Sequence, residues 1–468
     1  GDLVLPNVYF YSSNVSSIFF AYPSFLLTKA SVKNFLRNVS NFTTTFEAIN
    51  LPQLQEVYNL TYLYDKGLMG NGTTVGIIDF YGDPYINQQL AYFDEIYHLP
   101  PVSVKQVQVT PTNPEEGITT GWAIEESLDV EAVHTMAPLA NIIVYTANSN
   151  INIAPIIAYI DQKDEVNTVS MSFRIPEYYV MGDVGLLSYI IQTEYYFMLG
   201  TVEGITFVAS SGDGGGEGYS AEQPLGAVSW PSVSPFVTAV GGTTVYISGN
   251  SSVQTAWSSY GFVPDHINEG GSTGGVSIIF PKPWYQEGIQ TPETFPKGRM
   301  VPDVSMSASI YPGVNIVIPG NITVIVGGTS ESAPLFAGSI DVVDEYLGHR
   351  VGLINPILYE LSNDSRVFIP IPFGYNIPWT AHYGYNLVTG IGSVNVGGLA
   401  GAIKEMITTK PSLLINVTLS PFRTFYVNGS FLVLANISLG KEKVTSGNFS
   451  VTLYSLTGSE SVPMSKYH

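Results

Sequence analysis

The stretch Gly327-Gly-Thr-Ser-Glu-Ser-Ala-Pro334 decides the fold of this chain. It joins an apolar run, Ile322 to Val326, to a segment that predicts a helix as far as about Leu347. A strand–turn–helix junction exposes a side chain at the end of a sheet, beside backbone N–H groups without partners inside the helix. Ser330 is therefore a candidate nucleophile. A serine followed by Glu and Pro is also ordinary chemistry for a helix N-cap, so this alternative stays open.

Continuously apolar runs recur upstream of this stretch and predict strands of a parallel sheet covered on both faces. Helical segments such as Ala123–Met136 and Gly185–Leu199 lie between them. The alternation predicts an α/β fold with a doubly wound parallel sheet. The runs are Thr73–Tyr81, Ala140–Ala147, Thr168–Phe173, Gly204–Ser211 and Phe236–Val240.

Composition divides the chain into three parts. Residues 1–48, rich in Ser, Asn and aromatic residues, form an N-terminal extension or a remnant of a pro-domain. Residues 49–408 carry the α/β pattern. Residues 409–468 alternate polar and apolar positions between Gly and Asn turns, which predicts a small all-β module of the sandwich type. It is short for a sandwich, so truncation at His468 is an open alternative.

The charge balance limits the class of partner. With 38 acidic and 18 basic residues, the formal charge is −20 at pH 7, which argues against nucleic acid and anionic membranes. The chain has no cysteine, so it contains neither disulfides nor thiolate metal sites. No apolar run is long enough to span a membrane.

Asn-X-Ser/Thr sequons are more numerous than chance predicts, which favours a secreted glycoprotein. A polar surface without sugar is the alternative. The sequons begin at Asn14, Asn38, Asn41, Asn59, Asn71, Asn250, Asn321, Asn363, Asn416, Asn428, Asn436 and Asn448.

Three carboxyl groups are candidates for acid–base chemistry. Glu125 and Asp129 are four residues apart on the predicted helix and share one face, where a pair can hold a single proton. Glu126 and Glu131 on the same helix leave a solvated acidic face as the alternative. Asp213 follows an apolar run and lies at the carboxyl end of a strand, where open α/β sheets bind ligands, although an Asp-Gly turn is also common.

Taken together, three segments resemble the signatures of the sedolisins, the serine-carboxyl peptidases. They are Glu125-Glu-Ser-Leu-Asp-Val-Glu131, Ser211-Gly-Asp-Gly214 and Gly327-Gly-Thr-Ser-X-X-Ala-Pro334, in that order. Further matches are Ala239–Thr243, Ser272–Ser277 and Gly298–Val304. The resemblance covers about residues 50–408 and implies a subtilisin-like fold.

The resemblance also implies roles for four residues. Ser330 would be the acyl-forming nucleophile, Glu125 the base that takes its proton, and Asp129 the group that orients Glu125. Asp213 would be a protonated donor in the oxyanion hole, beside the Ser330 backbone N–H. A carboxylate base still works in acid, where histidine is locked as imidazolium.

Several positions separate this chain from true subtilisins or from other sedolisins. The segment Val75-Gly-Ile-Ile-Asp79 imitates the aspartate strand of subtilisins, but no His-Gly-Thr-His segment follows it. In a sedolisin, Asp79 matches an acidic position that extends the proton-sharing network. His134 is expected to be an ordinary helix residue. Phe173 replaces a usual tryptophan, and Arg174 and Glu331 replace usual small residues.

The resemblance implies a calcium site, and this chain is expected to have lost it. The two aspartates of the family's site correspond here to Pro370, which has no side-chain oxygen, and Asn386, which is neutral. Calcium affinity falls as charged oxygen ligands are removed. The open alternative is a shifted alignment in which Asp364 supplies a ligand.

The sequence therefore predicts a secreted, acid-active serine-carboxyl endopeptidase that acts on polypeptides and needs no cofactor. Its expected location is extracellular or at the cell surface, in an acidic environment. The alternative is a catalytically weak or inactive surface glycoprotein on a peptidase fold, with an adhesive or structural role.

Overall fold

The computed structural model describes residues 48–148, 153–217, 228–258, 270–290 and 297–408 with their side chains. Elsewhere it describes only the backbone of the strands given below and of Thr409. The chain forms two compact units, Gly1–Ala400 and Gly401–His468. The predicted N-terminal extension lies outside the residues described with side chains, and the predicted domain boundaries stay predictions.

The described strands run from 2 to 12 residues in length. In chain order they are β1 (Leu3–Val4), β2 (Asn7–Tyr9), β3 (Phe19–Ala21), β4 (Leu26–Leu27), β5 (Ile49–Asn50), β6 (Thr74–Phe80), β7 (Val104–Gln108), β8 (Asn141–Ala147), β9 (Thr168–Met171), β10 (Ile175–Pro176), β11 (Thr206–Ser210), β12 (Ser229–Trp230), β13 (Val237–Ser248), β14 (Ser251–Ala256), β15 (Gly275–Pro281), β16 (Gly298–Val301), β17 (Val304–Ser307), β18 (Val314–Ile318), β19 (Ile322–Val326), β20 (Phe368–Ile369), β21 (Ser393–Val394), β22 (Leu413–Ser420), β23 (Leu432–Leu439), β24 (Glu442–Lys443), β25 (Ser450–Ser455) and β26 (Gly458–Pro463).

The described helices alternate with the strands of the middle region. They are α1 (Gln53–Val57), α2 (Thr61–Tyr64), α3 (Ile86–Tyr97), α4 (Pro114–Thr120), α5 (Trp122–Met136), α6 (Ala154–Lys163), α7 (Glu177–Met181), α8 (Val184–Val202), α9 (Thr329–Leu347), α10 (Asn355–Glu360) and α11 (Val396–Thr409). None of the helices in the described ranges is long and apolar enough to cross a membrane.

A ten-stranded sheet forms the centre of the larger unit. Its order is β20-β21-β17-β13-β11-β9-β6-β8-β7, and β14 pairs with β13 off this path. All neighbours from β21 to β7 are parallel, whereas β20 and β14 are antiparallel additions. From β6 the chain continues to β7 and β8 on one side, and it then crosses to β9 on the other side of β6. The topological switch point therefore lies between β6 and β9. Ligands bind at the carboxyl ends of the strands at such a point.

The predicted doubly wound α/β fold is confirmed. The predicted strands at residues 73–81 and 140–147 correspond to β6 and β8, and the segment predicted as a helix to Leu347 is α9. β6, β8, β9 and β11 are buried along nearly their whole length, as parallel strands covered on both faces must be, whereas the edge strand β7 is largely exposed.

The strand that leads into the Gly-Gly-Thr-Ser turn differs from the expectation. β19 does not belong to the central sheet, since it pairs with β18 in a three-stranded sheet that also contains β5. Ile322 and Ile325 of β19 are exposed. Its apolar composition therefore reflects β propensity in a hairpin rather than burial.

Two helices, α5 and α9, pack against each other closely because a glycine lies at their crossing. A Cβ atom added to Gly338 of α9 would lie 2.9 Å from the carbonyl oxygen of Val133 and 3.1 Å from Cβ of Met136, both on α5. This close approach sets the distance between the helices that carry Glu125 and Ser330.

In the smaller unit, β22, β23 and β24 form one antiparallel sheet and β25 and β26 form another. β22, β23 and β25 lie in the segment 409–468, which the alternating pattern predicted to be all-β. The all-β character of this segment agrees with the expectation, and its sandwich packing stays a prediction.

Glu177 illustrates how buried acids make the stability of the fold depend on pH. Its carboxyl group is fully buried, with the Ser277 hydroxyl and the Ile278 N–H (2.8 Å) as donors. Burial raises the pKa of Glu177 from its ordinary 4.5 to about 7, and these hydrogen bonds only partly oppose the effect. The folded-state pKa of Glu177 lies above its value in the unfolded chain. The contribution of this group to the free energy of unfolding is therefore fully present below pH 4.5 and is lost as the pH rises towards 7.

We predict that Glu177→Gln reduces the loss of stability between pH 4 and pH 7. The group's own contribution is on the order of 3 kcal/mol, because each unit of pKa corresponds to about 1.4 kcal/mol. Thermal unfolding at both pH values measures it, with the exposed Glu116→Gln as the control. An unchanged difference between the two pH values in the Glu177→Gln variant would contradict the prediction.

Candidate active site

The predicted pair of carboxyl groups lies at the start of α5. Glu125 is in the first turn and is partly exposed, and Asp129, one turn later, is fully buried. Glu126 and Glu131 are fully buried as well. The alternative of a solvated acidic face is therefore wrong for this helix.

Ser330 lies in the first turn of α9, within reach of α5. The N-cap of α9 is Gly328 without a side-chain cap, so Ser330 is not an N-cap residue. The backbone of Gly328 has φ +120°, and a Cβ atom there would lie 3.0 Å from Oδ2 of Asp213, so the turn requires glycine. The Ser330 hydroxyl lies close enough to the Glu125 carboxyl group to lower its pKa.

Asp213 follows β11 and faces the same turn. Its Oδ1 accepts hydrogen bonds from the Thr329 backbone N–H (2.7 Å) and hydroxyl (2.8 Å), and its backbone oxygen accepts one from the Gly271 N–H (2.9 Å). These contacts fix the residue more firmly than a surface Asp-Gly turn would. Oδ2 is left as the oxygen able to carry a proton towards the cleft.

The pKa values of the three acids are all raised. Burial raises the pKa of Glu125 to about 7, the nearby Ser330 hydroxyl lowers it, and the charge of Asp213 raises it further. Burial and the charge of Glu125 raise the pKa of Asp129. Burial raises the pKa of Asp213, against the Thr329 hydrogen bonds and the charge of Arg174. Because the charge of Glu125 raises the pKa of Asp129, the two acids can hold one shared proton.

Asp79 extends this group of acids, at the position that the resemblance indicated. It lies at the carboxyl end of β6, is buried, and has its pKa raised by burial and then by the charges of Asp129, Glu126 and Glu125. Phe173 packs edge-on against Phe80, with ring centroids 5.1 Å apart. Four carboxyl groups thus share one buried region behind Ser330.

The sequence reasoning missed two residues that hold this arrangement. The Ser172 hydroxyl donates to Oδ1 of Asp129 (2.7 Å) and lies 3.3 Å from the backbone oxygen of Ser330. Thr329 binds Asp213 through two groups and also accepts from the Gly212 N–H (2.9 Å). The position of Ser172 directly after β9, at the switch point, was the available signal.

His134 does not take part in this site. It is fully buried on α5, and its Nε2 lies 2.8 Å from Oδ1 of Asp94 on α3. The subtilisin alternative, in which a histidine faces the serine, finds no support here. His134 is a helix residue, as expected.

Pro370 and Asn386 stand at the two positions where the family's calcium ligands are expected. Pro370 is exposed, and Asn386 is buried. The Asn386 side-chain N–H₂ donates to the backbone oxygens of His382 (3.1 Å) and Gly384 (3.4 Å), and its Oδ1 accepts from the Thr389 N–H (2.9 Å). A hydrogen-bond donor therefore faces the carbonyl oxygens that a cation would need.

These residues do not fit a calcium ion. Asp364, the alternative ligand, is engaged with Arg366 through a 2.7 Å contact between Oδ2 and Nη2. In the part of the chain that the structure describes, no group of three or more His, Cys, Asp or Glu residues could hold a metal.

Comparison with known proteins gives consistent results. No protein-family model matches the chain. Kumamolisin of Bacillus sp. strain MN-32 is 34% identical over 390 residues, which cover 80% of this chain and 66% of kumamolisin. Tripeptidyl-peptidase sed4 of Aspergillus fumigatus is 25% identical over 458 residues, covering 84% of this chain and 71% of that protein. The chain thus spans about two thirds of the length of these relatives.

A solved structure agrees in fold. Pseudomonas sedolisin, a serine-carboxyl proteinase complexed with two molecules of pseudo-iodotyrostatin, superposes with a TM-score of 0.68 and 22% identity. The match covers 77% of this chain and 99% of that one. The likeness in sequence to kumamolisin and in fold to sedolisin leads to one assignment: this chain belongs to the sedolisin family of serine-carboxyl peptidases.

Proposed function

We propose that this chain is a secreted, acid-active serine-carboxyl endopeptidase that hydrolyses peptide bonds through an acyl-enzyme on Ser330. The observation that carries the proposal is the placement of Ser330 beside Glu125, whose pKa the Ser330 hydroxyl lowers, with the buried acid Asp129 one turn behind Glu125 on the same helix. A nucleophile in contact with a base, with an orienting group behind the base, is the arrangement that nucleophilic catalysis requires. An inactive surface protein would have no need to keep Asp129 and Asp213 in place as well.

In the acylation step, the Ser330 oxygen attacks the carbonyl carbon of the substrate and its proton passes to Glu125. The negative charge that develops on the carbonyl oxygen is stabilised by protonated Asp213 and by the Ser330 backbone N–H, which has no partner within the helix. The C–N bond then breaks, and the proton on Glu125 passes to the leaving amine. Water attacks the acyl-enzyme by the same route, which releases the acid and restores the Ser330 hydroxyl.

Acid solution suits both parts of this mechanism. The pair Glu125 and Asp129 can accept the serine proton while it still holds one proton of its own. Asp213 can donate a hydrogen bond to the oxyanion only when it is protonated, and burial keeps it protonated to higher pH than an exposed aspartate.

We predict that Ser330→Ala reduces kcat/KM by at least about 10³-fold, and that Glu125→Gln costs nearly as much, because groups that act as a unit are not additive. Hydrolysis of a denatured protein at pH 3–4, followed by mapping of the fragments, measures the effect. Ser188→Ala and Glu116→Gln, both at exposed sites, are the matched controls. Proteolysis by Ser330→Ala at the wild-type rate would refute the proposed function.

We predict that activity peaks well below pH 6 and falls towards neutrality. The sign follows from the raised pKa values, because loss of the proton from Asp213 or of the last proton from the Glu125–Asp129 pair puts negative charge where the oxyanion forms. Asp213→Asn keeps a neutral donor at all pH values, so its alkaline limb should move upward if Asp213 sets that limb. If the alkaline limb of Asp213→Asn is unchanged, the Glu125–Asp129 pair sets that limb. An activity optimum near pH 8 would contradict the mechanism.

We also propose that this chain has lost the calcium site of its family. The Asn386 amide supplies the hydrogen bonds that hold the carbonyl oxygens of His382 and Gly384 together. A neutral amide keeps this function in acid, whereas carboxylate ligands are protonated and release their metal. Pro370 further restricts the backbone of the loop that begins after β20.

We predict that the unfolding temperature of the wild-type protein at pH 4 is the same in calcium and in chelator. Asn386→Asp, which places an anion beside these carbonyl oxygens, should unfold at a lower temperature in chelator and regain stability in calcium. Thermal unfolding and metal analysis of the purified protein are the measurements. A drop of several degrees when chelator is added to the wild type, or a bound calcium, would overturn the proposal.

Secretion into an acidic environment, with glycosylation, is part of the proposed function. Three sequons lie at exposed positions of the described chain, at Asn71, Asn250 and Asn363, and are free to accept a sugar. Asn59, by contrast, donates to Oδ1 of Asn395 (2.9 Å) and is held inside the fold. Polypeptides are the proposed substrates, as the chemistry of the site requires, and the charge of −20 argues against nucleic acid as a partner.

A further inference from the structure

Thr329 is a buried residue at the start of α9 whose hydroxyl group the mechanism above does not use. It lies directly before Ser330 and contacts the carboxyl group of Asp213. The two oxygens of a protonated carboxyl group differ, because one carries the proton and donates while the other only accepts. A proton on Asp213 can stabilise the oxyanion only from the oxygen that faces the substrate, so the position of that proton matters for catalysis.

The partners of the Thr329 hydroxyl fix the direction in which it donates. The hydroxyl oxygen accepts a hydrogen bond from the Gly212 N–H (2.9 Å). A backbone N–H can only donate, so the hydroxyl proton does not point towards Gly212. Within the described residues, the acceptor for this proton is Oδ1 of Asp213, at 2.8 Å. The Thr329 hydroxyl is therefore a donor to Asp213.

Oδ1 of Asp213 is consequently an accepting oxygen. Besides the hydroxyl group, the Thr329 backbone N–H donates to it, at 2.7 Å. A proton on Oδ1 would face the hydrogen atoms of both donors, so Oδ2 is the favoured position of the proton. Oδ2 lies beside the Gly328 turn, where a Cβ atom would come within 3.0 Å of it. Glycine at position 328 thus keeps the space beside Oδ2 free of a side chain.

The main chain of Asp213 is held by other contacts. Its backbone oxygen accepts from the Gly271 N–H (2.9 Å). The N–H of the next residue, Gly214, donates to the hydroxyl of Thr273 (2.9 Å). Removal of the Thr329 hydroxyl therefore leaves the backbone of this loop fixed, and its effect falls on the Asp213 carboxyl group.

We propose that Thr329 is a positioning residue that confines the proton of Asp213 to Oδ2, the oxygen that donates to the oxyanion. The inference rests on the proposed function, because it explains how the oxyanion donor of that site is oriented. It assigns to the threonine before the nucleophile a role in catalysis that the Ser330 hydroxyl and its base do not supply.

The Thr329 hydroxyl has two effects on Asp213 with opposite consequences for the variant that lacks it. As a donor to Oδ1 it favours the ionised carboxylate, so it lowers the pKa of Asp213 against the effect of burial, as the charge of Arg174 also does. Glu125 is an acid whose own pKa responds to the charge of Asp213. Without the hydroxyl, Asp213 should hold its proton to higher pH but less selectively on Oδ2. A general structural defect would lower the rate without this gain in proton affinity.

The kinetic test compares Thr329→Val, Thr329→Ser and Thr273→Val. Thr273 is a matched control, since it is fully buried and its hydroxyl also accepts from a backbone N–H at 2.9 Å, on the residue after Asp213. At the optimum, Thr329→Val should lower kcat about tenfold with KM unchanged, because the oxyanion donor is misdirected rather than removed. Thr329→Ser, which keeps the hydroxyl, should recover most of the rate. Thr273→Val should lose as much thermal stability as Thr329→Val, with a smaller loss of kcat.

A titration of Asp213 provides a readout that does not depend on catalysis. In the Ser330→Ala protein, the carbon-13 resonance of the Asp213 carboxyl group, assigned by its absence from Asp213→Asn, reports the pKa of this residue directly. Addition of Thr329→Val should raise this pKa, because the ionised form loses a donor. Addition of Thr273→Val should leave it as it is.

An unchanged pKa of Asp213 in the protein with Thr329→Val, or a kcat of Thr329→Val within about twofold of the wild type, would overturn the proposal. A loss of kcat in Thr273→Val equal to that in Thr329→Val would show a general effect on the loop and would also overturn it. If Thr329→Val does not fold, Thr329→Ala takes its place in both measurements. Proteolysis by Ser330→Ala would refute the proposed function alone, so the two failures are distinguishable.

Discussion

The burial of carboxyl groups without neighbouring cations is the constraint on which this structure depends. In the described residues, the pKa values of eight acids are raised by burial with no positive charge acting against it: Asp79, Asp83, Glu125, Glu126, Asp129, Glu131, Glu177 and Glu331. An ionised carboxylate in such a position costs several kcal/mol, and the neutral acid costs far less. The folded state therefore tolerates these buried groups only at pH values at which they hold their protons. Burial of these acids therefore favours the folded state at acidic pH, which agrees with the acid activity proposed above.

The contrast with Arg299 shows what a compensated acid looks like in the same fold. Its guanidinium group binds Asp303 through two contacts, of 2.6 Å and 2.9 Å, and also donates to the backbone oxygens of Ser234 and Val237. These contacts fix the start of β17. Glu125, Asp129 and Asp79, behind Ser330, have no cation among the causes that act on their pKa values. The fold thus separates an ion pair that holds its frame from the acids that are proposed to carry the chemistry.

The sequence predicted the parts of the site that depend on local pattern. The spacing of Glu125 and Asp129 placed them on one face, and the glycine-rich turn placed Ser330 at the start of α9, because both follow from helix geometry alone. It could not predict that Glu126 and Glu131 are buried, because nearly every face of α5 is covered by other elements. Nor could it assign β19 to a separate sheet, since pairing with β18 is decided by the hairpin and not by the composition of the strand.

The same physical rule connects the parts of the molecule that depart from the family. Under the proposal above, Asn386 stands where the family has a calcium ligand and holds the backbone oxygens of His382 and Gly384 with a neutral amide. Glu331, directly after Ser330, is a buried acid whose pKa burial raises to about 8. An amide keeps its state in acid, where carboxylate ligands are protonated and release their metal, and a buried acid is tolerated there because it holds its proton. Both residues thus agree with the acidic working range proposed for this chain.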